Sequence, residues 1–216
     1  MIRLPQIPEQ EFALILAELQ RQALPINKFR KKVGLGRSNA FGLVNRRCLP
    51  SDYSRYNWLR PYLYKLLLDF GAKFVPFPFT SITVNESFDA GAHKDRGNVG
   101  NSFLVAFGDF TGGDLQILDG DLSGNHCVNR TPLITDFTTQ THRVLPWEGN
   151  RYSLVYYNLK KIPNPAPPPP SVKQEGNKYI FYRGDEAITR KKPLPHPLQR
   201  KKNVLINHQP VVVSFN

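Results

Sequence analysis

Two stretches in the first third of the chain carry apolar residues at helical spacing. The first runs from Pro8 to Ala23, and its apolar residues are Phe12, Ile15, Leu16 and Leu19. The second runs from Tyr56 to Phe70, and its apolar residues are Leu59, Leu63, Leu66 and Leu67. Pro25 follows the first stretch and Gly71 the second, and both residue types commonly end helices. The pattern predicts two amphipathic helices. The basic, glycine-punctuated segment between them, residues 28–47, predicts a loop and a short strand.

The pattern changes after Phe79 to short runs of alternating or β-branched residues, separated by Gly-rich or Asp-rich breaks. These runs cover residues 80–85, 102–107, 114–117, 132–137, 142–145 and 152–159. Strands at this spacing, with no helical pattern between them, favour a closed or double-sheet β architecture such as the jelly roll. We therefore predict an α+β fold in which N-terminal helices support a jelly-roll core.

A proline-rich segment, residues 163–170, follows the last of these strands. Proline lacks a backbone N–H and fixes its own φ angle, so such a run predicts a stiff spacer that ends the core. An edge strand is expected at residues 179–183. The resulting division is an N-terminal region of helices and basic loop at 1–75, a jelly-roll core at 76–160, and a linker with a basic extension at 161–216.

Positive charge is concentrated at the two ends of the chain, which has a formal net charge of +12. Residues 1–60 carry 11 Lys or Arg and four Asp or Glu, and residues 160–216 carry 11 and three, whereas the middle carries seven and ten. This distribution predicts a nucleic-acid partner, with solubility as the alternative. The candidate phosphate contacts are Arg30, Lys31, Lys32, Arg37, Arg46, Arg47, Lys191, Lys192 and Arg200 to Lys202.

The same sequence shows neither a signal-peptide pattern nor a run of about 20 apolar residues. Its two cysteines, Cys48 and Cys127, are far apart and form no CxxC motif. We expect an intracellular protein with no membrane partner. Nothing in the pattern predicts an oligomeric state.

Candidate chemistry begins with His93 and Asp95, which share one face of an extended segment because side chains alternate along a strand. Alone, this pair is more typical of a surface histidine beside a solvated acid than of a metal site. His142, at the start of a later predicted strand, supplies a second imidazole. Two histidines and one carboxylate leave adjacent positions open on an iron ion for a chelating co-substrate and dioxygen.

Arg151 and Ser153 lie on one side of the strand that follows His142. A guanidinium inside a β core is costly unless an anion meets it, and a dicarboxylic acid bound to the metal offers its distal carboxylate for that pairing. Asn85, eight residues before His93, is a candidate hydrogen-bond partner of the co-substrate or the substrate. The alternative is an asparagine that only ends a strand.

Three motifs carry a resemblance to a known family: His93-Lys-Asp95, His142-Arg-Val-Leu-Pro146 and Gly149-Asn-Arg-Tyr-Ser153. Together they resemble the HxD…HxVxP…RYS pattern of the Fe(II)/2-oxoglutarate dioxygenases, whose core is a double-stranded β-helix. The resemblance covers roughly residues 79–159. It implies Fe(II), 2-oxoglutarate and O2 as cofactors and co-substrates, and it implies that Arg151, assisted by Ser153, anchors 2-oxoglutarate.

Within that family, residues 82–98 and 102–115 look most like the TET/JBP branch, whose members oxidise the methyl group of 5-methylcytosine or thymine in nucleic acid. The HxVxP and arginine spacing is equally similar to prolyl hydroxylases. A protein hydroxylase and an inactive nucleic-acid-binding jelly roll therefore stay open as alternatives. Lys94 and Arg96 face either phosphate or solvent, and Trp147 either stacks on a base or packs as part of a lid.

Overall fold

The computed structural model describes residues 2–26, 33–46, 49–160, 170–183 and 185–187. Its helices are a 3-10 turn at Glu9–Phe12, α1 at Ala13–Arg21, α2 at Arg55–Leu59 and α3 at Pro61–Phe74. The two predicted helical stretches are thereby confirmed, the second as α2 and α3, but Gly71 does not end α3, which continues to Phe74 with Gly71 buried. In the described part of the chain, no helix has the length and apolar character needed to span a membrane.

The described part of the chain contains 15 strands. They are β1 (Ile2–Arg3), β2 (Gly34–Arg46), β3 (Leu49–Tyr53), β4 (Ser81–Ala90), β5 (Asn98–Phe107), β6 (Phe110–Gly112), β7 (Leu115–Ile117), β8 (Gly124–His126), β9 (Leu133–Thr135), β10 (His142–Val144), β11 (Trp147–Gly149), β12 (Tyr152–Leu159), β13 (Ser171–Glu175), β14 (Lys178–Arg183) and β15 (Glu186–Ala187). All six predicted strand runs of the core are present, as β4, β5, β7, β9, β10 and β12.

A seven-stranded sheet with the order β1-β9-β5-β12-β4-β2-β3 forms the main layer of the protein. Two smaller sheets, β10-β7-β8 and β11-β6, form the opposing layer. Every strand pair in these sheets is antiparallel. The architecture is that of a double-sheet β core.

The helices cover one face of the main sheet. Alternate residues of β4 and β12, such as Val84 and Leu154, belong to one buried apolar cluster with α1 and α3. Tyr156 lies in the same cluster, and its hydroxyl donates a hydrogen bond to the Leu67 carbonyl at 2.8 Å. The opposite face, together with the small sheets, packs a second cluster that includes Leu115 and Phe137.

The strand β2 differs from the sequence prediction, which placed a loop and a short strand there. It is 13 residues long and pairs with β4 across the main sheet. Its register shifts between Leu35 and Arg37, and Gly36 at the shift has φ 115°. A Cβ there would lie 2.2 Å from the Ser87 carbonyl oxygen, so only glycine fits.

The expectation that the proline-rich segment ends the core is wrong. The sheet β13-β14-β15 follows it, and Val172, Tyr179 and Phe181 belong to the main apolar cluster. The ring of Phe181 lies 4.2 Å from that of Trp58, centroid to centroid. A single apolar core therefore includes residues from both sides of that segment. The three-part division of the chain itself stays a prediction.

Candidate metal centre and its cavity

The backbone brings His93 and His142 together. Each donates its backbone N–H to the carbonyl of the other at 3.0 Å, which makes a single β-bridge between segments that are distant in sequence. The N–H of Asp95 donates to the Phe137 carbonyl at 2.9 Å, and β10 pairs with β7 beyond the bridge. The proposed metal ligands are thus fixed by main-chain hydrogen bonds from two directions.

The ligand atoms of His93, Asp95 and His142 all lie within 4.8 Å of one another. Nε2 of His93 is 3.6 Å from Oδ1 of Asp95, and the two imidazole centroids are 4.4 Å apart. His142 is buried, whereas the other two residues are half-buried. The three side chains therefore converge on one point beside the cavity described below.

The second nitrogen of each imidazole contacts a backbone carbonyl. Nδ1 of His93 is 2.7 Å from the Gly91 oxygen, and Nδ1 of His142 is 3.1 Å from the Gln140 oxygen. Because a carbonyl only accepts, each Nδ1 carries the proton and each Nε2 carries the lone pair. Metal-binding histidines have this arrangement, which fixes both the tautomer and the ring orientation. The donor set fits a divalent transition metal.

Arg151 is only 3% exposed. Its Nε donates to the Gly113 carbonyl at 3.2 Å, and its guanidinium carbon lies 5.6 Å from the Phe110 ring centre and 5.8 Å from that of Trp147. Burial lowers the pKa of Arg151 to about 10, with the nearby Asp114 carboxylate acting in the opposite direction. The group is therefore a buried cation at neutral pH, and the energetic cost of that burial calls for an anion.

The Gly112-Gly113 turn makes room for this arginine. Both glycines have positive φ, and a Cβ on Gly113 would lie 2.8 Å from Cδ of Arg151. The position next to a buried guanidinium therefore has to be glycine.

Asn85 and Ser153 are direct cross-strand partners on β4 and β12. Nδ2 of Asn85 lies 3.0 Å from the Ser153 hydroxyl, and Oδ1 of Asn85 is buried with no hydrogen-bond partner among the described residues. A hydroxyl both donates and accepts, so rotation of the amide would keep this contact and turn the NH2 group into the cavity. Asn85 thus offers the cavity either an acceptor or two donors.

A cavity of about 520 Å³ joins all these groups. Its lining includes the three proposed metal ligands, Arg151, Ser153 and Asn85. Sequence reasoning identified Lys94 and Arg96 in its wall but missed other residues there, among them Ser38, Ala40, Val44, Asn45, Thr83 and Tyr157. The strand register places Ser153, Asn85 and Ser38 in one row across three strands. Alternation along β2 would have identified Ser38 and Ala40 if that segment had been predicted as a strand.

The candidate substrate contacts occupy different environments. The ammonium of Lys94 is 3.1 Å from an Asp119 carboxylate oxygen, whereas Arg96 is exposed and lines the cavity. Arg37 lies 3.4 Å from Glu86 and also donates to the Leu24 carbonyl. Trp147 is half-buried beside Arg151. The side chain of Arg46 is not described. The remaining basic candidates lie outside the described residues: Arg30, Lys31, Lys32, Arg47, Lys191, Lys192 and Arg200 to Lys202.

Comparison with known proteins gives a match at the level of the fold. No protein-family model and no curated protein sequence matches the chain. Among solved structures, NgTET1 in complex with 5mC DNA has a TM-score of 0.55 and 16% identity, covering 74% of this chain and 72% of that one. An oxidoreductase of the 2OG-Fe(II) oxygenase family from Burkholderia pseudomallei scores 0.46 at 19% identity, covering 72% of this chain and 82% of its own. A Pseudomonas putida prolyl-4-hydroxylase scores 0.46 at 14% identity, covering 74% and 92%.

The likeness to NgTET1 agrees with the sequence resemblance in one respect, the fold. The predicted α+β class, with a double-stranded β-helix core behind N-terminal helices, is confirmed.

Proposed function

We propose that this chain is an Fe(II)/2-oxoglutarate-dependent dioxygenase that hydroxylates a C–H bond. The observation that carries the proposal is that one cavity contains both a two-histidine, one-carboxylate cluster and a buried arginine. Burial of a guanidinium is costly, and a bound anion beside it would offset that cost. Iron with 2-oxoglutarate would supply the oxidation of the C–H bond by O2.

Each residue of the site has a distinct role in this proposal. His93, Asp95 and His142 hold the metal through Nε2, a carboxylate oxygen and Nε2. Arg151 pairs with the distal carboxylate of 2-oxoglutarate at a buried position, where such a pair is strong. Ser153 and Asn85 hydrogen-bond the same co-substrate or the substrate beside it.

The proposed substrate is the methyl group of a modified base, 5-methylcytosine or thymine, in nucleic acid. The net charge of +12 and the basic ends favour a polyanionic substrate. The sequence resemblance to the TET/JBP branch points the same way, and the structurally similar NgTET1 is described in complex with 5mC DNA. The exposed Arg96 at the cavity would contact a phosphate.

The cavity wall combines apolar and polar side chains. Ala40 leaves space in the wall, and the Thr83 hydroxyl donates to the Tyr157 hydroxyl at 3.2 Å. A wall of this kind combines apolar contact with hydrogen bonding, as expected for a site that accepts a methylated base.

The test is succinate formation after anaerobic loading with Fe(II) and 2-oxoglutarate and exposure to oxygen. Methylated DNA, methylated RNA and a proline-rich peptide are compared as substrates. We expect a methylated oligonucleotide to stimulate succinate formation and to gain the mass of one oxygen atom. Stimulation by the peptide alone would replace the nucleic-acid assignment with a protein hydroxylase. No succinate with any substrate would favour an inactive jelly roll.

A further inference from the structure

One carboxylate outside the proposed metal ligands contacts the neighbours of all three. Asp119 follows β7, and its Oδ1 accepts the backbone N–H of Thr141 at 2.6 Å. Its Oδ2 accepts the Thr141 hydroxyl at 2.7 Å and lies 3.1 Å from the Lys94 ammonium. Thr141 directly precedes His142, and Lys94 lies between His93 and Asp95.

The contacts of Lys94 extend this network to the turn before Thr141. The ammonium also donates to the Thr139 carbonyl at 2.6 Å. That turn begins at Asp136, whose side chain accepts the backbone N–H and the hydroxyl of Thr138 at 2.9 and 2.6 Å. The two segments that supply the metal ligands are therefore joined through side chains as well as through the His93–His142 backbone bridge.

We propose that Asp119 is a positioning residue that holds Lys94 and Thr141, and through them the three ligands, in a metal-ready arrangement. The inference rests on the proposed function. It adds a residue that contacts neither metal nor co-substrate but determines how far the ligands are already in place before the metal binds. Supporting residues of this kind commonly change metal affinity by about 10-fold to 100-fold.

Charge gives Asp119 a second effect. An ammonium between two metal ligands opposes the approach of a divalent cation, and a carboxylate 3.1 Å away offsets that charge. Hydrogen bonds from the hydroxyl and backbone of Thr141, followed by Lys94, lower the pKa of Asp119 to about 2. The carboxylate is therefore ionised at neutral pH.

The alternative is an ordinary surface ion pair, and the chain contains one for comparison. Lys65 and Asp69 lie 2.6 Å apart, four residues apart on α3. In that pair, both residues belong to one helix. Asp119 instead joins two chain segments through contacts with one backbone N–H, one hydroxyl and one ammonium. Exposed ion pairs within one helix contribute little to stability, so Asp69 provides the matched control.

The test is titration of the metal-free protein with Co(II), read by its visible absorption, without 2-oxoglutarate or substrate. Asp119→Ala should weaken Co(II) binding by about 10-fold or more. Asp119→Asn should give an intermediate value, because it keeps an acceptor for Thr141 but leaves the Lys94 charge without its counterion. Asp69→Ala should bind Co(II) as the unmodified chain does.

Two further substitutions keep the test decisive if Asp119→Ala fails to fold. Thr141→Val removes the hydroxyl contact alone, and Lys94→Met removes the ammonium contacts alone. We expect Thr141→Val to weaken Co(II) binding and the Lys94→Met/Asp119→Asn pair to bind more tightly than Asp119→Asn alone.

The outcomes separate this inference from the proposed function. If the unmodified chain binds no Co(II), both fail. If it binds Co(II) with the same affinity and spectrum as a folded Asp119→Ala, or as Thr141→Val should Asp119→Ala not fold, the positioning role is overturned while the metal centre stands.

Discussion

The two faces of the main sheet use the same strands in different ways. Toward the helices, Val84, Leu154 and Tyr156 are fully buried, and even the Tyr156 hydroxyl has a carbonyl partner. Toward the cavity, the neighbouring residues are Asn85, whose buried oxygen has no hydrogen-bond partner among the described residues, and Ser153, two residues after the buried cation Arg151. Adjacent positions in one strand therefore alternate between a face whose hydrogen bonds are all made and a face where some are not.

This difference shows how the fold separates stability from chemistry. Because side chains alternate along a strand, each residue faces either the helices or the cavity. On the helix face, the side chains are packed against the helices and the Tyr156 hydroxyl is hydrogen-bonded without any ligand. The cavity face instead contains a buried cation and an amide with an incomplete set of hydrogen bonds, and such local inconsistencies are typical of functional sites.

The largest effect is expected on the helix face. Leu154→Ala should lower the free energy of unfolding by about 2–5 kcal/mol, because it removes a fully buried side chain from a packed cluster. The measurement is urea denaturation. Its control is Ser153→Ala, one residue away on the cavity face, for which we expect a change below about 1.5 kcal/mol. Equal losses would show that the two faces do not differ in this way.

A substitution at the buried cation should have the opposite profile. Arg151→Met should weaken 2-oxoglutarate binding by about 100-fold, since it removes a buried charged partner. The same substitution should leave the melting temperature of the ligand-free protein unchanged or raise it, because removing a charge from water is costly. Calorimetric titration and thermal melting measure the two effects.

The control for Arg151→Met is Arg143→Met on β10, whose side chain is exposed and bonded to Gln116. It should keep full 2-oxoglutarate affinity. A large loss of stability in Arg151→Met without a loss of binding would mean that the arginine is structural.

A smaller effect is expected at the unpaired amide. Asn85→Ala should weaken 2-oxoglutarate or substrate binding by about 10-fold, which corresponds to one hydrogen bond to a charged group. The free energy of unfolding should change little, because the hydroxyl of Ser153, which loses its hydrogen bond to Asn85, can rotate to another partner. Binding curves for both ligands show which of them the amide contacts. No change in either curve would assign Asn85 to the strand alone.

Much of this arrangement could be predicted from local sequence pattern. The alternation in residues 80–85 and 152–159 predicts β4 and β12, and the spacing of His93, Asp95, His142 and Arg151 predicts the site that the structure brings together. These signals are local or depend on one alternating period, which a single sequence displays directly.

The missed parts have identifiable physical reasons. Gly34, Gly36 and Gly42 interrupt the alternation of β2. Each has to be glycine, because a Cβ there would lie 2.0 to 2.4 Å from a neighbouring backbone oxygen. A strand that needs glycine for close approach therefore has the composition of a loop, and Ser38 and Ala40 were missed with it. The strand expected at residues 179–183 is present as β14, but its pairing with β13 and β15 and its packing on the core were missed, because core partners such as Trp58 are distant in sequence. Asp119 was missed because only the folded chain places it beside Lys94 and Thr141.

The most direct test of the central claim, that the cavity face binds metal and 2-oxoglutarate together, is an anaerobic titration. Fe(II) and 2-oxoglutarate are added to the protein, and the visible absorption of their joint complex is recorded for the unmodified chain and for His142→Ala. We predict a metal-to-2-oxoglutarate charge-transfer band that saturates at one Fe(II) per chain and is absent in a folded His142→Ala. No band in the unmodified chain, or an undiminished band in His142→Ala, would contradict the account.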